Sequence, residues 1–362
     1  MDGAFSTHLL RWFDARKRDL PWRSEPSPYA IWISEIMAQQ TQIDRVVGYF
    51  NRWMVRFPDL AALSGAHEEE VLKLWEGLGY YSRARNILKT AKVIQEKHDG
   101  AFPNDFDDIR ALPGVGPYTA GAIASMAFDL VVPAVDANVL RVFSRLLDIE
   151  ESVRNVATKR RVEAAVGDAI PKDRPGDFNQ ALMEFGALVC RKQPLCGECL
   201  MQEHCQAFQN DTVDLRPVQP TRKNVIRIEM ATGVLLHEGQ VLIQKRLPDD
   251  VWPGLWEFPG GVVEADETPE QALVREYQEE VELDVVVEEK VTVVQYSYTR
   301  YRVTMHAFVC RLEGELPPTL VFNEATEGLF VLPKALKGYA FPAGHRRLIE
   351  FMHNNPLYNH LF

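Results

Sequence analysis

At 362 residues, with 46% apolar and 25% charged side chains, the chain is long enough for two ordinary domains with cores to fill. That excludes global disorder, and no apolar run approaches the roughly 18 residues that a membrane span needs. A formal net charge of −11 argues against a generic nucleic-acid binder, yet the acidity is unevenly shared. Residues 1–225 hold 28 Lys and Arg against 30 Asp and Glu, and the rest hold 12 against 21, so a near-neutral first part can still show phosphates a basic face. Met1 to Thr7 leads into an amphipathic segment rather than a signal peptide. A soluble, intracellular protein with no membrane partner is expected.

From Phe5 to about Ala207 the apolar residues recur at helical spacing, as in Val71, Leu72, Leu74, Trp75 and Leu78, or Ile87, Leu88, Ala91 and Ile94. Breaks at Pro58-Asp59, Asp99-Gly100, Pro113-Gly114, Pro133 and Pro171 to Gly176 divide this region into many short helices. Residues 208–225 have little apolar content and read as a linker. Beyond it the period changes to strands at Ile226 to Leu236, Val241 to Lys245, Val285 to Val294 and Tyr301 to Arg311. One helix stands out there, Pro269 to Val281, with Thr268 as N-cap and Gln271 completing a capping box.

Within the helical part, Leu112-Pro113-Gly114-Val115-Gly116-Pro117-Tyr118-Thr119-Ala120 joins two helical stretches through a tight turn. Its glycines permit positive φ and leave N–H groups uncovered at the next helix start, which suits a phosphate oxygen; an ordinary connector uses the same residues. Farther on, Val135-Asp136-Ala137-Asn138-Val139-Leu140-Arg141-Val142 sets an acid at a helix start, where N-capping is the simplest use. Upstream lie Leu20-Pro21-Trp22-Arg23, Pro28-Tyr29 and Trp32-Ile33-Ser34-Glu35-Ile36-Met37-Ala38-Gln39-Gln40-Thr41-Gln42. Glu35 alone reads as a solvated surface charge, but the amides crowded behind it on an apolar helix suit base edges.

Turn and acid together resemble the helix-hairpin-helix base-excision glycosylase superfamily. The N-terminal run closely resembles the adenine DNA glycosylases of the MutY family, which remove adenine mispaired with 8-oxoguanine. Similarity extends over almost all of residues 5–207, including Leu74-Trp75-Glu76-Gly77-Leu78-Gly79-Tyr80-Tyr81-Ser82-Arg83-Ala84-Arg85-Asn86 and Phe178-Asn179-Gln180-Ala181-Leu182-Met183-Glu184-Phe185-Gly186-Ala187. The resemblance implies that Glu35 is the catalytic acid and that Asp136 faces the sugar of an extruded nucleotide, with Asn138 and Tyr118 as hydrogen-bonding neighbours. It also implies that Trp22, Arg23 and Glu184 hold the flipped adenine, and that Gln39, Gln40, Thr41, Gly114, Val115 and Gly116 contact DNA. Tyr80 becomes the wedge beside 8-oxoguanine, with Ala38 where a larger apolar residue is common; from the residues alone Tyr80 and Tyr81 could equally be core aromatics. Relatives that also cut the strand through a Schiff base carry lysine at the Tyr118 position, so tyrosine implies base release without an efficient lyase step. The expected partner is double-stranded DNA with A opposite 8-oxoguanine or G, bound by a monomer in a bacterial-type cytoplasm.

Cys190, Cys196, Cys199 and Cys205 form a C-x5-C-x2-C-x5-C pattern that suits a [4Fe-4S] cluster or a zinc ion in a reducing compartment, with Cys310 apart. The family resemblance implies [4Fe-4S], although the first gap is five residues where the family usually has six.

In the C-terminal part, Gly261-Val262-Val263-Glu264-Ala265-Asp266-Glu267 continuing to Arg275-Glu276-Tyr277-Gln278-Glu279-Glu280-Val281-Glu282-Leu283 resembles the Nudix box at most positions. Glu276, Glu279 and Glu280 share one helix face, able to hold Mg²⁺ against a diphosphate, where an acidic helix would otherwise be a solvated face. Glu282 replaces the box's last glycine and Tyr277 a usual aliphatic residue. In the MutY family this region is a Nudix-fold module that reads 8-oxoguanine, and Trp252 to Phe258 and Tyr298-Thr299-Arg300-Tyr301 are similar to it. Thr299 and Arg300 are therefore expected at the DNA, Arg300 standing where histidine is common.

The expected fold is multi-domain: an all-α helix-hairpin-helix glycosylase domain with a [4Fe-4S] loop, residues 1–207, then an α+β Nudix-fold domain, residues 226–362. Inside the first, a six-helix module spans about 25–130, and the N-terminal residues join about 131–207 around the cluster. The expected function is monofunctional excision of adenine opposite 8-oxoguanine or G. One alternative adds hydrolysis of oxidised nucleoside triphosphates by the C-terminal domain; another is a damaged-DNA binder without catalysis.

Overall fold

The computed structural model describes residues 3–24, 26–218 and 224–361. Residues 219–223 of the expected linker, and the first two of the N-terminal segment, lie outside the described residues. The chain divides into two compact units that do not follow chain order: Met1–Ala66 with Asn86–Arg222, and His67–Arg85 with Lys223–Phe362.

The first unit is helical. The apolar spacing read from the sequence corresponds to helices that include Gly3–Arg16, Pro28–Ala38, Ile43–Arg56, Pro117–Phe128, Ala137–Leu146, Val156–Ala169 and Pro175–Leu188. Pro28–Ala38 is buried from Tyr29 to Met37, as expected of a helix apolar on nearly every side, and it packs against Pro117–Phe128. One core gathers Phe5, Leu9 and Phe13 of the first helix with Val139, Val142, Phe143, Phe178, Leu182 and Phe185. That core fixes the helix bearing Asp136 at its start against the helix bearing Glu184.

In the second unit, strands Ile226–His237, Gln240–Arg246, Trp256–Glu257, Val285–Tyr298, Tyr301–Leu312 and Ala325–Val331 form a mixed sheet. Ile226–His237 runs parallel to Tyr301–Leu312 and antiparallel to Gln240–Arg246, which also pairs antiparallel with Trp256–Glu257 and Ala325–Val331. Val241 and Ile243 point into one core and Leu242 into the other, the two-residue period of a sheet buried on both faces. Helix Pro269–Val281 covers one face through Ala272, Leu273 and Tyr277, and helix Ala343–Asn354 the other through Leu348, Ile349 and Met352.

The capping box at Thr268 and Gln271 is present. The helix Ala343–Asn354 and the strands Trp256–Glu257 and Ala325–Val331 are additional to the elements read from the sequence. The two box departures differ in their structural consequence. Glu282 occupies the left-handed C-cap, φ 53°, where glycine would be unstrained, and the buried Tyr277 hydroxyl donates to the Gly233 carbonyl at 2.8 Å.

Candidate active site

The turn at Leu112–Gly116 bends where expected: Gly114 has φ 74°, and a Cβ there would meet the Asn86 side chain at 2.7 Å, so the turn needs glycine for both conformation and space. Gly116 caps the helix Pro117–Phe128, with proline in its first turn. That helix carries Tyr118 toward the buried helix Pro28–Ala38, and the Tyr118 hydroxyl donates to Glu35 Oε2, with Met183 Sδ 3.4 Å away.

Glu35 is therefore no solvated charge. It is buried, and that burial pushes its carboxyl up to about 7, with Asp136 adding in the same direction against the Tyr118 hydrogen bond and Arg23. Asp136 is the N-cap of Ala137–Leu146, its Oδ1 accepting from Val139 N at 2.7 Å, so the simplest sequence reading holds and is incomplete. Its Oδ2 accepts from Asn138 Nδ2 at 2.7 Å. Burial raises the Asp136 carboxyl above its ordinary value, opposed by these hydrogen bonds and by Arg141.

A cavity of about 760 Å³ in this unit is lined by Glu35, Tyr118, Asp136 and Asn138 together with Trp22, Arg23 and Glu184. Gln39, Gln40 and Thr41 lie on the same wall, Gln39 Nε2 donating to Thr119 Oγ1 at 3.3 Å. The indole of Trp22 is buried edge-on to Phe50, 5.1 Å between centroids. Glu184 accepts from Arg18 Nε at 2.8 Å, Arg18 Nη2 at 2.9 Å and Arg18 N at 2.9 Å, while Arg23 Nη2 reaches it at 3.2 Å. Burial alone would raise Glu184, and these cations bring it below the ordinary carboxylate value. Arg23 Nε also donates to Gln180 at 2.8 Å, so the planar fork is held on three sides.

The sequence passed over Arg18, Gln180, Met183 and Arg141. Arg18 belongs to the run Arg16-Lys17-Arg18, which looks like a solvated basic face. Arg141 donates through Nη2 to Asn138 Oδ1 and to Gly186 O, each at 2.7 Å, and through Nε to Cys190 O at 2.8 Å. Its three-residue spacing from Asn138 on one helix was the available signal.

The four cysteines border one small cavity with Val189, Pro194, Leu195 and Phe208. Arg145 donates to the carbonyls of Arg191 at 2.7 Å and Lys192 at 3.1 Å, with Cys190 Sγ 3.4 Å from Nη1; Met201 N lies 3.4 Å from Cys199 Sγ. Burial pushes the Cys199 thiol up to about 11, and the neighbouring thiols push the same way, an environment in which bound metal cations would stabilise thiolates. Four soft sulfur donors around one apolar-walled space fit an iron–sulfur cluster chemically. Among the described residues, no group of three or more His, Cys, Asp and Glu is arranged to hold a single metal ion.

The other expected DNA-contact residues lie in the second unit. Tyr80 and Thr299 border a cavity of about 180 Å³ with Trp252, Tyr296 and Tyr298. The Arg300 guanidinium lies over the Tyr301 ring, 5.5 Å from its centroid. Of the box carboxylates, Glu280 is buried and accepts from Gly260 N at 3.0 Å and Gln244 Nε2 at 2.9 Å, its carboxyl pushed up to about 8 by burial and by Glu257. Glu276 and Glu279 each accept from Arg275 at 2.9 Å, and Arg275 also pairs with Glu267 at 2.7 Å.

Residues 33–172 match the family described as HhH-GPD superfamily base excision DNA repair protein, and residues 231–351 match the NUDIX domain. The adenine DNA glycosylase of Buchnera aphidicola subsp. Baizongia pistaciae is 36% identical over 258 residues, 70% of this chain and 73% of that protein. The Homo sapiens adenine DNA glycosylase is 34% identical over 375 residues, 88% and 69% of the two chains. The Mus musculus one is 41% identical over 266 residues, 71% of this chain; the chain spans about half the length of the mouse and Arabidopsis thaliana relatives. Among solved structures, a thermostable thymine-DNA glycosylase superimposes with a TM-score of 0.53 at 28% identity, over 57% of this chain and 96% of that one. An endonuclease III in non-covalent complex with DNA gives 0.50 at 25% identity, over 57% and 95%. The chain thus belongs to the adenine DNA glycosylase family, with a helix-hairpin-helix glycosylase region followed by a Nudix domain.

Proposed function

We propose that the protein hydrolyses the N-glycosidic bond of adenine mispaired with 8-oxoguanine or G in duplex DNA, acting as a monomer and leaving the strand intact. The observation that carries this is the Glu35–Tyr118 pair facing the same cavity as Asp136. A carboxyl held near neutrality by burial is a suitable proton donor at pH 7, and Glu35 delivers its proton to a ring nitrogen of the flipped base. As the C–N bond breaks, its electron pair leaves with neutral adenine and positive charge develops on the sugar. Asp136 is held by Val139 N–H and Asn138 Nδ2, donors that favour its ionised form, and it stabilises that charge. Water then adds to the sugar carbon and its proton returns to Glu35. Tyr118 presents a hydroxyl where a Schiff base would need an amine, so no covalent lyase step follows.

Trp22 supplies an apolar face for the extruded base, with Arg23 and Glu184 at its polar edge. Gln39, Gln40 and Thr41 face the duplex, the Gly114-Val115-Gly116 turn receives a backbone phosphate, and Tyr80, Thr299 and Arg300 read the 8-oxoguanine strand. Cys190, Cys196, Cys199 and Cys205 would hold a [4Fe-4S] cluster, whose contribution is to order the loop carrying Arg191 and Lys192. The experiment is single-turnover adenine release from A·8-oxoguanine, A·G and A·T duplexes, quenched with and without alkali. Release from the mispairs with strand breaks only after alkali is expected; undiminished release by Glu35→Gln removes the assignment.

A second reading adds Mg²⁺-dependent hydrolysis of an oxidised nucleoside triphosphate, for which Glu276 and Glu279 would leave Arg275 and join Glu280 in holding the metal. It is favoured by the tight approach at Gly261, where a Cβ would fall 2.2 Å from Glu276 Oε1, so the glycine loop and the box helix are built together. Absence of Mg²⁺-dependent pyrophosphate release from 8-oxo-dGTP would remove it.

A further inference from the structure

Three non-glycine residues of the second unit have left-handed backbone around one cavity: Tyr80 at φ 49°, Trp252 at φ 59° and Thr299 at φ 50°. Such backbone is strained, and bulky aromatics at positive φ persist only where their surroundings dictate it. Here the surroundings are aromatic. The Trp252 indole meets Tyr298 edge-on, 4.9 Å between centroids at 69°, and lies 6.4 Å from Tyr296; Tyr298 in turn lies 6.4 Å from Tyr80.

The loop bearing Trp252 is itself tied down. Arg246 Nε donates to Val251 O at 2.6 Å, and Gly254 N donates to Arg246 O at 3.1 Å. Tyr80 is anchored from the other side by the segment before it. Glu76 accepts from Arg346 Nε at 2.7 Å and Phe341 N at 2.9 Å, while Lys73 Nζ donates to Tyr339 O at 3.0 Å. Tyr298 thus stands between two tied-down supports, Trp252 and Tyr80, and Trp252 is the nearer, 4.9 Å against 6.4 Å between ring centroids.

We infer that Trp252 is a specificity-determining, positioning residue: it touches no reacting atom, and by packing edge-on against Tyr298 it sets the Tyr298–Thr299 tip beside Tyr80 for reading the base opposite adenine. This rests on the reading of the protein as an adenine glycosylase that prefers A opposite 8-oxoguanine. A displaced tip weakens contacts made only to the oxidised base, so preference falls rather than chemistry as such.

The test measures single-turnover adenine release by the full chain and by Trp252→Ala, Trp252→Leu and Trp252→Phe on A·8-oxoguanine and A·G duplexes. The ratio of the two rates is expected to fall roughly fivefold or more in Trp252→Ala, chiefly through the A·8-oxoguanine rate, and to be largely rescued by Trp252→Phe, which keeps an edge-on ring. Should Trp252→Ala not fold, Trp252→Leu fills the space without a ring and is expected to lower the ratio likewise. An unchanged ratio in both ring-less variants, or rates that fall equally on both duplexes, overturns the inference. If the unsubstituted chain itself does not distinguish the duplexes, the underlying reading fails and this one with it.

Discussion

Arg141 and Asn138 meet through a charge-assisted hydrogen bond, Nη2 to Oδ1 at 2.7 Å, and the opposite end of the same amide donates to Asp136. Because Arg141 Nε also holds the Cys190 carbonyl, one guanidinium spans from the cysteine loop to the amide that donates to the Asp136 carboxylate. Arg141→Gln is expected to slow adenine release by roughly 10- to 100-fold, the equivalent of losing one or two charge-assisted hydrogen bonds. Single-turnover rates check this, and a rate equal to the parent's would show that Asp136 is oriented without Arg141.

The Glu35 carboxyl, pushed up to about 7 by burial, carries a pH dependence of both activity and stability. With Glu35 as the proton donor proposed above, the rate should fall as pH rises through about 7. Stability moves the same way: the folded state binds this proton more tightly than the unfolded chain, so the contribution is full below the ordinary carboxyl value and lost as pH rises through the folded one. Glu35→Gln removes that loss. Relative to the parent it should gain up to roughly 3 kcal/mol between acidic and mildly alkaline buffer, read from denaturation midpoints.

Tyr118 lowers the Glu35 value through its hydrogen bond, so Tyr118→Phe should move the alkaline limb of the pH–rate profile to higher pH. A profile that shifts downward, or not at all, would mean that the hydroxyl does not act on Glu35 during turnover.

Arg145 binds the cysteine loop by donating to the Arg191 and Lys192 carbonyls. If the cysteines hold the proposed cluster, Arg145→Met should leave protein that loses its visible absorption faster on exposure to a chelator, with adenine release declining in step. Equal rates of colour loss would show the loop to be held by other contacts.

What was legible in the sequence depended on whether a residue's use left a local trace. Glu35, Asp136, Tyr118 and Asn138 sit in runs whose composition departs from an ordinary helix, and all four border one cavity. Arg18 left none, since a cation in a basic run looks the same whether it meets water or a buried carboxylate, and Arg141 left only its three-residue spacing from Asn138. Helix Ala343–Asn354 was obscure for a different reason: it begins after Pro342 without a side-chain cap and buries few large apolar residues, Leu348, Ile349 and Met352. Strands Trp256–Glu257 and Ala325–Val331 are short or interrupted by glycine, and pairing rather than propensity defines them. The association of His67–Arg85 with the later half has no sequence period at all; it follows from contacts such as Glu76 with Arg346.

That association also orders events in time. A ribosome delivers His67–Arg85 well before Lys223–Phe362, and at about 5–20 residues per second the interval is on the order of ten seconds. The contact between Glu76 and Arg346 forms only after helix Ala343–Asn354 has emerged. The newborn chain therefore carries, in His67–Arg85, a stretch whose docking surface is still being translated.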